Sequence, residues 1–177
     1  SKISGQVEIP GSKSHTIRAI VLASLAKGTS TIKAPLVSED TVSCLQAAST
    51  LGAWIKRGDD TIWRISGTGG KLLQPAGVID MGNSGTGLRL FTSIAARADF
   101  PISFDGDESL RTRTMASLLA ALQAMGAKVE SANGKCPLSV TGPINGAEVT
   151  IEGKTSQYLS SLLFAAPLLE NDTVIHV

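Results

Sequence analysis

Three short loops carry the residues best suited to chemistry. They read GSKSH from Gly11, GNSGT from Gly82 and GKTSQ from Gly153. Each places a glycine and a cluster of small hydroxyl or amide side chains just ahead of an apolar run. Cations gather at the same places: Lys13 and Arg18 at the first loop, Arg89 at the second with Arg111 and Arg113 beyond it, and Lys154 at the third. A helix start presents unpaired N–H groups and a partial positive charge. Glycine lets a ligand approach the backbone closely, and a cationic side chain completes an anion site. The chemistry implied is the holding of phosphate or carboxylate groups. Arg89 would lie near the first turns, supporting either the loop or the ligand.

Other chemistries are poorly served. His15, at the rim of the first loop, and His176 form no Ser-His-Asp arrangement,. Asp40, Asp107 and Glu108 fall at helix starts, where capping accounts for them. Cys44 and Cys136 have no metal-ligand spacing with the histidines, so no metal and no cofactor is expected,. Gly153-Lys154-Thr155 lacks the glycine a Walker A loop needs, because Glu148 occupies that place,. The stretch from Gly82 is G-x-x-G-x-G, not the dinucleotide pattern.

The elements that position these loops recur along the chain. Gly11, Gly82 and Gly153 stand 71 residues apart, as do Arg18 and Arg89. Each loop follows a short β-rich run (GQVEIP, AGVIDM, AEVTIE). Each precedes an apolar run (TIRAIVLASLA, GLRLFTSIAA, YLSSLLFAAPLL) that reads as a helix buried on nearly every side,. Strands are predicted next at TSTIKA, PISFDG and DTVIHV. In the first two copies a second helix follows, from Ser38 and from Asp107, each ending in a Gly-Ala pair,. Two short strands close each copy: AWIKR with TIWRIS, and AKVES with PLSVTG. The unit is β-α-β-α-β-β, present as two full copies and part of a third. The fold class is α/β (α+β), with a pseudo-threefold repeat that would bring three helix starts to one cleft. A half-finished third copy should leave apolar surface uncovered.

Composition narrows the class further. The 177 residues are 42% hydrophobic but 4% aromatic, so Leu, Ile, Val and Ala must build the core,. A net charge of +1 is not the footprint of a nucleic-acid binder,. No apolar run approaches ~18 residues and no signal peptide is visible at Ser1, so a soluble, cytoplasmic protein with reduced thiols is expected, with no membrane partner.

Four motifs in order resemble those of the EPSP synthase (3-phosphoshikimate 1-carboxyvinyltransferase) family. IPGSKSHTIRA is similar to its P-G-[SD]-K-S-x-x-x-R element, and MGNSGTGLR to G-N-[AS]-G-T-x-x-R. GDESLRTRTM is similar to G-D-x-S-L-x-x-R-P-M, and KTSQYLSSLL to S-S-Q-[FY]-x-S-x-L-L. The resemblance implies a two-domain enzyme more than twice this length, with a cleft between domains of three β-α-β-α-β-β units each. Residues 11–177 would be a truncated N-terminal enolpyruvyl transferase domain, and residues 1–10 a linker strand toward the absent C-terminal domain.

The resemblance also implies an activity: transfer of the enolpyruvyl group of phosphoenolpyruvate to the 5-hydroxyl of shikimate 3-phosphate, by addition and then elimination of phosphate. By motif match, Lys13, Ser14, Arg18, Thr155, Ser156 and Gln157 would hold shikimate 3-phosphate. Lys13, Gly85, Arg113 and Gln157 would contact phosphoenolpyruvate. The family's acid–base carboxylates lie in the C-terminal domain, so no catalytic residue is expected here, and the chain alone should bind shikimate 3-phosphate without turnover. Departures from the pattern cluster near the phosphoenolpyruvate side: Thr114 for Pro, Leu90 where Pro is frequent, and Gly87 for a common Ala. Thr155 replaces Ser and keeps the hydroxyl. Two alternatives stay open. One is UDP-N-acetylglucosamine enolpyruvyl transferase, which typically has S-K-N where Ser12-Lys13-Ser14 stand and often a Cys within 105–115. The other is a non-catalytic phosphosugar-binding module.

Overall fold

The computed structural model of the chain describes residues 3–7, 9–59 and 61–177. The first stretch folds as α1 (Lys13–Leu25), β1 (Thr29–Lys33), α2 (Glu39–Thr50), β2 (Trp54–Asp59) and β3 (Ile62–Ser66). The second gives β4 (Ile79–Asp80), α3 (Gly85–Ala95), β5 (Ile102–Asp105), α4 (Glu108–Arg111), α5 (Ala116–Ala124), β6 (Lys128–Ser131) and β7 (Leu138–Thr141). The third gives β8 (Glu148–Thr150), α6 (Ser156–Ala165), a short 3-10 turn and β9 (Val174–His176).

Strand pairing follows the same plan wherever the strands exist. The first sheet runs β1-β3-β2, antiparallel throughout, and the second runs β4-β5-β7-β6. In the second sheet β5, β7 and β6 pair antiparallel while β4 lies parallel on the outer edge of β5. β8 and β9 repeat that parallel pairing. The strand expected at residues 5–10 does not form among the described residues, and no described strand pairs with the outer edge of β1. Ile3, Val7 and Ile9 there are exposed. Ser1, Lys2 and Glu8 of the expected linker strand lie outside the described residues.

Local chemistry sets the helix limits. The hydroxyl of Ser12 accepts from the His15 N–H at 3.4 Å at the start of α1. Ser38 and Thr41 cap α2 reciprocally, so that both the first N–H groups and the cap N–H find partners,. The Thr155 hydroxyl accepts from the Gln157 N–H at 3.2 Å ahead of α6. Gly52 and Gly126 close the second helices with φ of +111° and +106°, a backbone shape that glycine takes without a Cβ penalty,.

The segment from Asp107 differs from expectation: it is two helices, α4 and α5, rather than one. Two competing backbone bonds break it. The Met115 N–H donates to the Gly134 carbonyl at 2.8 Å instead of to its own helix, and the Ala116 N–H donates to the Thr114 hydroxyl at 3.2 Å. Arg113 is drawn aside to Asn83. Met115, Leu118, Leu119, Leu122 and Met125 are still all buried.

α3 is the central helix, packed against α1, α2 and α6. Nine of its eleven residues are buried, so the expectation of burial on nearly every side holds for it. It holds less well for its neighbours. α1 leaves Leu22 52% exposed and α6 leaves Leu163 51% exposed. Buried hydroxyls join α3 to α6: Ser93 Oγ meets Ser161 Oγ, and Ser161 donates to the Arg89 carbonyl. Such pairing removes the cost of burying them in an otherwise aliphatic core. No helix among the described residues is long and apolar enough to cross a membrane.

Candidate functional site

The starts of α1, α3 and α6 are tied together by two arginines, Arg18 about one turn into α1 and Arg89 about one turn into α3. Arg18 donates through Nη1 to the Ser14 carbonyl at 3.1 Å and through Nη2 to Ser160 Oγ of α6 at 3.2 Å. Ser160 in turn donates to the Ser156 carbonyl at 2.8 Å. Ser14, Arg18 and Ser156 thus occupy one patch spanning α1 and α6.

Arg89 makes the second tie. Its Nη1 donates to Gln157 Oε1 at 2.7 Å and to the Gly85 carbonyl at 3.1 Å, and its Nη2 to the Thr114 carbonyl at 3.4 Å. The guanidinium lies 5.6 Å over the ring of Tyr158, whose hydroxyl donates to the same Thr114 carbonyl at 2.8 Å. All these acceptors are neutral. Arg89 is therefore a cation that joins α3, α6 and the 112–115 segment without a carboxylate partner among the described residues. A planar fork of donors suits this role better than a point charge.

Arg113 stands on the other side of Gly85. Its Nη2 donates to Asn83 Oδ1 at 2.5 Å and to Ser109 Oγ at 3.2 Å, and its Nη1 to the Asn83 carbonyl at 3.4 Å. The Asn83 amide donates to Asp107 Oδ2 at 2.7 Å. That donor, followed by the Leu110 N–H, holds the Asp107 carboxyl below its usual value,. A Cβ built on Gly85 would lie 2.9 Å from Arg113 Nη1 and 3.0 Å from Arg89 Nη1. Gly85 is buried and lies between two guanidinium groups, with room for no side chain there.

Lys13 reaches from α1 to α2, where Nζ pairs with Asp40 Oδ2 at 2.7 Å. Asp40 was expected only to favour a helix start; its second role is to fix the direction of Lys13. α2 also backs the second loop, because Cys44 Sγ lies 3.4 Å from Ser84 Oγ. Two other cations near the motifs are committed elsewhere. Arg111 forms a two-pronged pair with Asp105, at 2.9 and 2.6 Å, and Lys154 pairs with Glu152 at 3.2 Å on the surface.

The expected residues therefore fall into connected contacts. Ser14, Arg18 and Ser156 share one. Gly85, Arg113 and Gln157 share another through Arg89 and Asn83. Thr155 caps α6 beside them, and Lys13 stands at the α1–α2 junction. Sequence reasoning did not single out Asn83 as the bridge, Ser160 or the Thr114 carbonyl. Asn83 and Ser160 both lay inside quoted motifs, and that was their legible signal. A backbone carbonyl leaves none. Cavity volume is a poor guide to this open surface: a cavity of about 470 Å³ lies beside Arg97, past the C-terminal end of α3, and holds none of these residues.

The family model for EPSP synthase (3-phosphoshikimate 1-carboxyvinyltransferase) matches residues 1–177. The chain belongs to the EPSP synthase family. It is similar to the 3-phosphoshikimate 1-carboxyvinyltransferase of Methanocorpusculum labreanum, at 49% identity over 181 residues, covering 100% of this chain and 42% of the relative. It is 45% identical to that of Acetivibrio thermocellus, over 100% of this chain and 42% of the relative. The EPSP synthase structure from Acinetobacter baumannii superposes with a TM-score of 0.90 at 31% identity, over 97% of this chain and 40% of that one. The α/β enolpyruvyl transferase-like fold read from the motifs is thus the fold observed. The chain spans about two fifths of the length of the EPSP synthase relatives it matches.

Proposed function

We propose that this chain supplies one wall of the site of a carboxyvinyltransferase that makes EPSP and phosphate from shikimate 3-phosphate and phosphoenolpyruvate, in aromatic amino acid biosynthesis. The observation that carries the reading is the contact of Arg89 with both Gly85 and Gln157. It supports a juxtaposition of the residues matched to one substrate with those matched to the other.

In this reading Lys13, Ser14, Arg18, Thr155, Ser156 and Gln157 hold shikimate 3-phosphate. Lys13, Gly85, Arg113 and Gln157 hold phosphoenolpyruvate. The 5-hydroxyl oxygen adds to C2 of phosphoenolpyruvate while C3 gains a proton. The tetrahedral adduct then loses phosphate from C2 and a proton from C3, giving the enol ether. The chain's part is to gather two polyanions and to offset their mutual repulsion with cations and helix-start N–H groups. Arg113 and Arg18 have the fork geometry that suits carboxylate and phosphate. The groups that move protons belong to the remaining portion of such an enzyme, a C-terminal domain that closes the cleft as partner. Cys44 and Cys136, both free and buried, support a reducing, cytoplasmic setting,.

Calorimetric titration of the 177-residue chain with shikimate 3-phosphate tests this. Weak, saturable binding without product formation is expected. A folded chain that takes up no ligand at millimolar concentration would refute it.

A further inference from the structure

Arg97 follows α3 at the end opposite the candidate site. Its Nη1 donates to the Gly70 carbonyl at 3.1 Å, and its Nη2 reaches the Leu168 carbonyl only at 3.5 Å. Its Nε is buried and has no partner. No carboxylate pairs with it among the described residues, and burial lowers its pKa. Capping carbonyls at a helix end is a sufficient structural role for a basic residue. Here that role leaves most of the guanidinium unmet. An arginine half removed from water normally finds a carboxylate or phosphate.

Arg97 also stands between two cavities, of about 470 and 260 Å³. The larger is bounded by Lys71 and Arg97 as cations, by Leu72, Phe100 and Pro143 as apolar surface, and by Asp99, which is exposed, as its one acid. Lys71 likewise has no ion-pair partner among the described residues. Unpaired cations above an apolar floor match an organic anion with a compact hydrophobic body. They match a bare inorganic ion less well.

We propose that the cavity between the 69–72 turn and the segment 97–100 binds a small organic monocarboxylate with an aromatic or branched apolar body. Arg97 receives the carboxylate, Lys71 adds charge at the mouth, and Phe100, Leu72 and Pro143 take the apolar part. The site is separate from the helix-start site, at the other end of α3.

The probe is 4-fluorobenzoate, observed by fluorine NMR on the full-length protein. Saturable binding is expected, weakened about tenfold in Arg97→Gln through loss of a charge-assisted contact. A smaller weakening is expected in Lys71→Gln, and none in Arg113→Gln. No saturable binding, equal binding to Arg97→Gln, or loss in Arg113→Gln would overturn the proposal. Because Arg97→Gln also loses the bond to the Gly70 carbonyl, a crystal soaked with 4-bromobenzoate gives an independent reading. The anomalous bromine peak should lie among Leu72, Phe100 and Pro143; a peak only elsewhere, or none, overturns the proposal too.

Discussion

Gly87 stands where a methyl group has no room. A Cβ there would lie 2.3 Å from Cys44 Sγ, 2.7 Å from Ser84 Oγ and 2.9 Å from Met81 Cε. All four residues are buried. The contact with sulfur is more than ~1 Å inside ordinary separation. Overpacking of this kind costs about 1–3 kcal/mol, against about 1 kcal/mol that alanine gains over glycine in a helix. Gly87→Ala should therefore lose up to about 2 kcal/mol. Cys44→Ala alone opens a small void and should lose about 1 kcal/mol. In the double variant the new methyl enters the space vacated by sulfur, so the two losses should not add. A coupling of about 1–2 kcal/mol in favour of the double variant is expected. Urea unfolding of the four proteins measures it. Coupling within about 0.5 kcal/mol of zero, or a Gly87→Ala protein more stable than its parent, would refute the packing argument.

Three further outcomes are expected. Gly85→Ala puts a methyl against both Arg113 Nη1 and Arg89 Nη1, and steady-state kinetics of the full-length protein should show KM for phosphoenolpyruvate raised about tenfold with KM for shikimate 3-phosphate little changed. Burial pushes the thiol of Cys44 up to about 12 and that of Cys136 up to about 11, so a colorimetric thiol reagent at pH 8 should label neither in the native chain and both in urea. Arg111 holds the Asp105 carboxyl, and Asn83 the Asp107 carboxyl, below the ordinary range. A carboxyl depressed in the folded state stabilises above its unfolded value of about 3.9 and loses that contribution as pH falls through the folded value. Tm should fall on acidification in that window, and less steeply in Asp105→Asn and Asp107→Asn, as scanning calorimetry would show.

The parts of the fold that sequence disclosed were those with a local cause. Ser38 announces a helix start because a hydroxyl at that position satisfies a nearby N–H,. Gly52 and Gly126 announce helix ends because their φ is positive. The equal spacing of Gly11, Gly82 and Gly153 made the repeated element order legible. What escaped depends on contacts between distant residues. The split between α4 and α5 comes from the Gly134 carbonyl and the Thr114 hydroxyl taking the Met115 and Ala116 N–H groups from a helix that propensity alone would continue. No described strand pairs with the outer edge of β1, which no property of GQVEIP could signal. The departure at Gly87 read only as a change near the phosphoenolpyruvate side. In the structure a Cβ there would collide first with Cys44, 43 residues earlier in sequence.

A structure of the chain with shikimate 3-phosphate bound addresses the central claim, that helix starts far apart in sequence form one anion site. The ligand's anionic groups should lie within hydrogen-bonding distance of residues from both α1 and α6, Arg18 and Ser156 among them, with Lys13 turned from Asp40 toward the ligand. A ligand held at only one helix start, or one seated beside Arg97 instead, would contradict it.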